Sequence, residues 1–347
     1  MRVGKLDPRQ LERLVLGRFV HRRSDVLVHA ALGEDSAVID FGDEVCVIST
    51  DPITGVATGA GRLAVHVSCN DVAANGAYPI GVQVVLLLPE DAEETLITQL
   101  MDEVEHGCEE LGIEVLGGHT EITSRVTAPL VVLTAVGRAP KNRYVTSAGA
   151  RPGDAVVVTK GIGIEGTAIL ANEWADTIRQ ASKEKDPQIS RDALDSLLKR
   201  ASSFFEELSA VREGIAAASF GVSAMHDITE GGLYGALYEM AAACGFGFRV
   251  EKAKIPVRPE TLSICDYLGL DPLGLISSGT MLITCPDGVG LVAHLEDVGV
   301  PAFIIGEVLE QEDSVIVLRN GETQPLPRLA EDELWRFLAG SNVADPE

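Results

Sequence analysis

Several features that would fix the chemistry at once are missing from this chain. No G-x-x-x-x-G-K-[Ser/Thr] segment occurs, so the ordinary P-loop cradle for nucleotide phosphates is excluded. The six cysteines (Cys46, Cys69, Cys108, Cys244, Cys265 and Cys285) are scattered and form no C-x-x-C pair. That spacing argues against a zinc or dithiol redox site and for reduced, mostly buried thiols. No apolar run is long enough to span a bilayer, and Met1–Pro8 has no apolar signal-peptide core. The cytosol is therefore the expected compartment. Positive charge is scarce as well: 28 Lys and Arg face 52 Asp and Glu, for a net charge of −24. Such a field repels nucleic acid and anionic membrane, and neither is an expected partner. No close internal repeat is visible.

What is present suits a globular chain of two domains or two fused halves. The 347 residues are long for one core, 46% are hydrophobic, and mean hydropathy is +0.17. The chain is organised around Asn70-Asp71-Val72-Ala73-Ala74-Asn75-Gly76-Ala77-Tyr78-Pro79, which ends a predicted helix and turns sharply. Three more acid-bearing turns accompany it: Gly33-Glu34-Asp35-Ser36, Thr50-Asp51-Pro52 and His226-Asp227-Ile228-Thr229-Glu230-Gly231-Gly232. Carboxylates dispersed in this way suit Mg²⁺, which takes a few carboxylates together with phosphate oxygens.

In chain order, Asp7-Pro8 reads as an N-cap and first position of a helix carrying Leu11, Leu14, Val15 and Phe19. Ala37–Asp40 and Val45–Ile48 predict a hairpin, with Asp35 before it and Asp51 after it at one sheet edge. Leu63–Ala74 is helix-like and Ile80–Leu88 a buried strand. Asp91–Leu111 is the clearest helix, with Leu96, Leu100, Val104, Cys108 and Leu111 on one face and Gly112 as its stop. A strand at Val115-Leu116 leads into Gly117-Gly118-His119-Thr120-Glu121, read as a glycine turn, and Pro129–Gly137 is a further strand. The second half begins after the turn Arg151–Asp154, with strands at 155–159, 281–284, 302–306 and 315–318. Helices are expected at 233–243, 291–298 and 331–338. Residues 171–213 form a charged helical excursion, a candidate lid or partner surface.

Each motif has a functional and a plainer reading. Gly161-Ile162-Gly163-Ile164-Glu165-Gly166 matches the dinucleotide fingerprint, yet no second strand ending in an acid follows, and a flexible turn explains it as well. Gly117 and Gly118 would let backbone N–H groups approach an anion, or simply make a tight turn capped by Thr120. His119 is a candidate for proton transfer or phosphate donation, or a structural histidine. Lys160 could reach a phosphate or lie solvated. Thr229 and Glu230 could merely cap a helix, and Cys69 reads as a buried thiol rather than a nucleophile.

Taken together, in this order and spacing, the motifs resemble the aminoimidazole ribonucleotide synthetase-like (PurM-like) superfamily. The resemblance runs from Gly33-Glu34-Asp35-Ser36-Ala37 through Asn70-Asp71 and Gly-Ala-Tyr-Pro to Ser278-Gly279-Thr280. Asp227-Ile228-Thr229-Glu230-Gly231-Gly232-Leu233 is most similar to the hydrogenase-maturation (HypE-like) branch. Thiamine-monophosphate kinases usually carry a Ser-Asp-Gly-Leu pattern there. Selenophosphate synthetases carry a reactive residue near the N-terminus, whereas the first cysteine here is Cys46. Two departures stand out. No cysteine follows Cys285, so the self-modification used by the maturation dehydratase is not expected, and His119 stands where many members have an acid, with Glu121 as a possible replacement.

The resemblance implies an α/β (α+β type) PurM-like fold in two domains. Residues 1–150 would be a β-rich ATP- and Mg²⁺-binding domain that pairs in a homodimer, and residues 151–347 an α/β domain covering the nucleotide. It further implies Mg²⁺ on Asp35, Asp51 and Asp71, nucleotide contacts from Asn70, Gly117, Gly118, Thr120 and Lys160, and catalytic roles for Asp71, Asp227 and His119. The expected activity is ATP-dependent phosphoryl transfer to, or activation of, a carbonyl or amide substrate, a small molecule or protein not identified by sequence. Three alternatives remain open: a catalytically weak nucleotide-binding partner in a maturation complex, a thiamine-monophosphate-kinase-like small-molecule kinase, and a dinucleotide-dependent oxidoreductase.

Overall fold

The computed structural model describes residues 4–54 and 59–340. Asp7 caps α1 (Pro8–Leu14) by accepting from the Arg9 N–H, and Pro8 sits where a missing donor costs nothing. Strands β1 (Val26–Val28), β2 (Ala37–Asp40) and β3 (Glu44–Ile53) follow. The last two make the expected hairpin, with Gly42 at φ +93° in its turn. Helix α2 (Ala60–Ala74), strand β4 (Tyr78–Leu88), helix α3 (Glu94–Leu111) and strands β5 (Glu114–Ile122) and β6 (Leu130–Pro140) complete this half. The sheet runs β1-β2-β3-β6-β4-β5, and β4–β5 is its one parallel pairing.

The glycine segment differs from its sequence expectation. Gly117-Gly118-His119-Thr120-Glu121 is no turn but the body of β5, an exposed edge strand paired with β4. A Cβ on Gly118 would collide with the Val84 carbonyl oxygen, so glycine there serves close strand approach.

The second half opens with β7 (Ala155–Thr159) and continues through α4 (Ile164–Glu173), α5 (Ala175–Lys185), α6 (Arg191–Ser202) and α7 (Val211–Phe220). After them come β8 (Ala224–Ile228), α8 (Gly232–Cys244), β9 (Phe248–Glu251) and α9 (Pro259–Leu268). Strand β10 (Thr280–Cys285), helix α10 (Gly288–Asp297), strands β11 (Ala302–Val308), β12 (Val315–Val317) and β13 (Thr323–Pro325), and helix α11 (Glu333–Gly340) close the described chain. Their sheet runs β13-β12-β9-β11-β7-β10-β8. Alternation along β7 feeds two cores: Val156 and Val158 pack with Leu233, Leu237 and Met240 of α8, while Val157 packs with Ala217 of α7 and Leu291 of α10.

Two sequence expectations change here. The 171–213 excursion is not a loose lid: Ile178, Leu194, Leu197 and Leu198 are buried against α4, α9 and α11, because its charges line only the outer face. The turn at Gly161–Gly166 is closed by protein, since Gly163 N–H donates to Ser277 Oγ and Gly166 N–H to the Ile276 carbonyl. Strand β7 is also antiparallel to both neighbours, unlike a dinucleotide-binding βαβ unit.

Helix α2 joins the halves. Of its residues, Arg62 and Val67 alone escape full burial, because strands of the first sheet, α3 and α7 surround it. Gly214 of α7 lies so close to the Ala73 carbonyl that a side chain there would push the halves apart. Among the described residues no helix is long and apolar enough to cross a membrane.

Candidate active site

The junction of the two halves opens into a cleft of about 700 Å³. Asp35 reaches it from the loop before β2, Asp51 from the end of β3, and Asp71 from the last turns of α2. Antiparallel pairing of β2 and β3 brings the first two to the same end of the sheet. Across the cleft stands β8, the edge strand of the second sheet, whose His226 and Asp227 face the same space. Thr229 and Glu230 follow; neither caps α8, whose N-cap is Gly231 at φ +87°. They turn instead to the N-terminal segment, where Lys5 N–H donates to Glu230 Oε1 at 2.7 Å and Lys5 Nζ to Thr229 Oγ1 at 3.3 Å.

Four carboxylates so close together cannot all stay ionised without cations. Burial, then the charges of Asp51, Asp227 and Asp35, push the Asp71 carboxyl well above the usual range. Burial and the neighbouring Asp35 push Asp227 up to about 8. Ser49 Oγ lies between Asp71 Oδ2 and the Asp35 carbonyl oxygen, and fixes the Asp71 side chain. His226 behaves in the opposite sense. Burial works to lower it, but Asp35 and Glu239 outweigh that and hold it well above its ordinary value. Its Nε2 lies 2.9 Å from Glu239 Oε2 and its Nδ1 2.5 Å from Asp35 Oδ1. Glu239 is held down at about 2: burial would raise it, yet Lys5 and His226 prevail.

The donor set fits a hard divalent cation. Buried Oδ2 atoms of Asp51 and Asp227 have no hydrogen-bond partner, an expensive arrangement unless something else satisfies them. Ligand atoms of Asp35, His226 and Asp227 lie within 4.8 Å of one another. Oxygen donors from Asp35, Asp51, Asp71 and Asp227 match Mg²⁺, while His226 is engaged by Asp35 and Glu239 and orients the carboxylates.

The other sequence candidates lie elsewhere. Asn70 is fully buried, its Nδ2 donating to the Leu208 carbonyl (2.8 Å) and its Oδ1 accepting from Ala210 N–H (2.6 Å). It fastens α2 to the second half. Lys160, at φ +54°, pairs with buried Glu213 (2.8 Å) and donates to the carbonyls of Glu207, Ser209 and Gly279. Its ammonium is spent on structure. Gly117, Gly118, His119 and Thr120 sit on β5, three strand spacings from β3, roughly 14 Å away within one chain. His119 is exposed and pairs with Glu121 at 3.3 Å. Cys69 is buried, which pushes its thiol up and leaves it inert. Sequence reasoning named His226 only as the start of a turn, whereas it and Asp227 lie in β8, and it missed Glu239 and Lys5 as members of the cleft. A polar His-Asp pair inside the otherwise apolar Ala224–Ile228 strand was the available signal for His226.

Residues 33–139 match the family described as AIR synthase related protein, N-terminal domain, and residues 151–319 match its C-terminal domain. The carbamoyl dehydratase HypE of Cupriavidus necator is 30% identical over 75% of this chain and 70% of its own length. That of Rhizobium leguminosarum bv. viciae is 28% identical over 81% and 78%. Among solved structures, a HypE–HypF complex superposes with a TM-score of 0.71 at 21% identity, covering 92% of this chain and 99% of its counterpart. HypE in complex with ATP gives 0.67 at 22% (96% and 97%), and thiamine monophosphate kinase from Aquifex aeolicus gives 0.64 at 21% (93% and 99%). With both domains matched and the two-sheet fold shared, the chain belongs to the AIR synthase-related, PurM-like family, in the branch that holds the HypE proteins.

Proposed function

We propose that this chain is an ATP-dependent enzyme that transfers a phosphoryl group to, or otherwise activates, a carbonyl- or amide-type substrate. The observation that carries the proposal is the convergence of Asp35, Asp51 and Asp71 with Asp227 from the opposite half, two of them presenting unsatisfied buried oxygens. Bound Mg²⁺ would neutralise and orient the phosphates. Asp35, Asp51 and Asp71 would hold it from one side of the cleft and Asp227 from the other. His226 keeps Asp35 in place from behind, and Glu239 keeps His226 charged. Without a cation, the elevated Asp227 carboxyl holds a proton near neutrality, and metal binding there would release it. ATP as the nucleotide is supported by the similar fold of HypE solved with it.

A cytosolic homodimer is part of the same proposal. The uncovered face and free edge of the first sheet carry exposed Tyr78, Ile80, Leu116 and Ile122, the kind of surface that pairs with a second copy. Strand β5 lies there, so phosphate contacts from Gly117, Gly118 and Thr120 would be made toward a partner's cleft. The second reading is a nucleotide-binding partner without turnover. It is favoured by exposed His119 on β5 and by the HypE–HypF assembly of a similar protein.

Calorimetric titration of ATP with and without Mg²⁺, followed by phosphate release in the presence of carbonyl and amide substrates, tests the proposal. Mg²⁺-dependent binding that collapses in Asp71→Asn, with slow phosphate release, supports the enzyme. Binding with no release under any substrate supports the partner reading. No binding at millimolar ATP removes both.

A further inference from the structure

Eleven Asp and Glu residues line the cleft, against Lys5, Arg328 and His226. A phosphate ligand entering so acidic a space needs positive charge from the protein as well as from metal. Arg328 lies over the Tyr238 ring, 5.6 Å from its centre. His226 is held between Asp35 and Glu239. Lys5 is different. Its side chain is about half exposed, and its ammonium lies 3.6 Å from Glu239 and 3.3 Å from Thr229 Oγ1. Both contacts are long for charge-assisted bonds, so the ammonium is held by the surrounding acids and not by a tight hydrogen bond, and it can turn to a better-placed anion.

The backbone around Lys5 is built for this placement. Its main-chain N–H donates to Glu230 Oε1 at 2.7 Å. Gly4, at φ +96°, packs where a Cβ would strike Glu230 and the Trp335 indole. The segment before α1 is thereby laid across the cleft with the lysine pointing at its acids.

We propose that Lys5 is a phosphate-binding residue of this site, held without ligand as an internal counter-ion by Glu239 and released to the ligand's phosphate when a divalent cation enters. The proposal rests on the nucleotide reading above and deepens it. A divalent cation on Asp71 and Asp227 quenches two of the acids that attract the ammonium, and an arriving phosphate offers a replacement anion. Lys5 therefore opposes metal alone and favours metal with phosphate. A merely structural strap would not produce opposite signs.

The test is titration of wild type, Lys5→Met and Lys5→Arg with Mn²⁺ alone, then with tripolyphosphate and with ATP at saturating Mn²⁺. Lys5→Met is expected to bind Mn²⁺ alone about 3-fold more tightly, because a competing cation is gone. The same variant is expected to bind both phosphates about 10-fold or more weakly, with Lys5→Arg recovering much of the loss. Equal affinities in wild type and Lys5→Met, or losses of both kinds together, overturn the proposal. Wild-type binding of tripolyphosphate but not ATP would sink the nucleotide reading while leaving Lys5 its role. A wild type that binds ATP with no contribution from Lys5 would do the reverse. Binding of neither phosphate removes both.

Discussion

His226 and Asp35 come from opposite halves of the molecule and meet across the cleft, Nδ1 2.5 Å from Oδ1. Both are buried, so separating them would leave an uncompensated charge on each side. The two halves therefore close on a charged seam as well as on apolar surface. A cation drawn to Asp35 enters a contact that already helps to hold the molecule together.

Removing one acid from the cluster is expected to cost binding and raise stability. Asp71→Asn keeps the shape of the side chain and relieves its repulsion with Asp51, Asp227 and Asp35. In metal-free buffer its Tm should rise by about 1–2 °C, as for roughly 1 kcal/mol in a protein of this size. Added Mg²⁺ with ATP should then stabilise the wild type and not the variant. Paired thermal melts check both signs.

Asn70 should prove structural. Asn70→Ala strands the Ala210 N–H and the Leu208 carbonyl, and about 3 kcal/mol of stability should be lost in urea unfolding. The fraction that remains folded should bind ATP as the wild type does.

Lys160→Met leaves Glu213 buried without its cation, an expected loss of about 3–5 kcal/mol. Adding Glu213→Gln should restore part of it. Recovery in the double variant, followed by chemical denaturation, separates pairing from phosphate binding, which would not be rescued.

Asp332 gives the molecule a defined pH response. Burial pushes its carboxyl up to about 7, against the pull of the Leu334, Gly231 and Ile276 backbone N–H groups. A carboxyl raised above its unfolded value binds its proton more tightly in the folded state. Its contribution is complete below about pH 4 and fades as pH climbs to about 7. In Asp332→Asn the slope of stability against pH between 4 and 7 should be less negative than in the wild type. Unchanged slopes would refute the assignment.

Much of this was readable in the sequence, for local reasons. Asp35, Asp51, Asp71 and Asp227 stand beside turn-forming or helix-ending residues, and element ends are where a cleft between layers gathers side chains. The α3 stripe and the β2–β3 hairpin were equally plain. Gly117–Glu121 misled because glycines suggest a turn, while the pairing with β4 that extends them is a long-range event. The 171–213 segment misled by its charge, although Leu194, Leu197 and Leu198 already held the helical spacing of a buried face. Lys5 and Glu239 lie 234 positions apart, and nothing local links them.

Helix α2 has a consequence for how such a molecule can be altered. With both layers pressed against it, α2 cannot accept a larger residue at its buried positions without shifting the layers around Asp71. The cleft wall around Asp71 is thus hard to adjust. New substrate preference would have to be written at the rim, at residues such as Arg328, Ala330 and Glu331, which line the cleft without being buried.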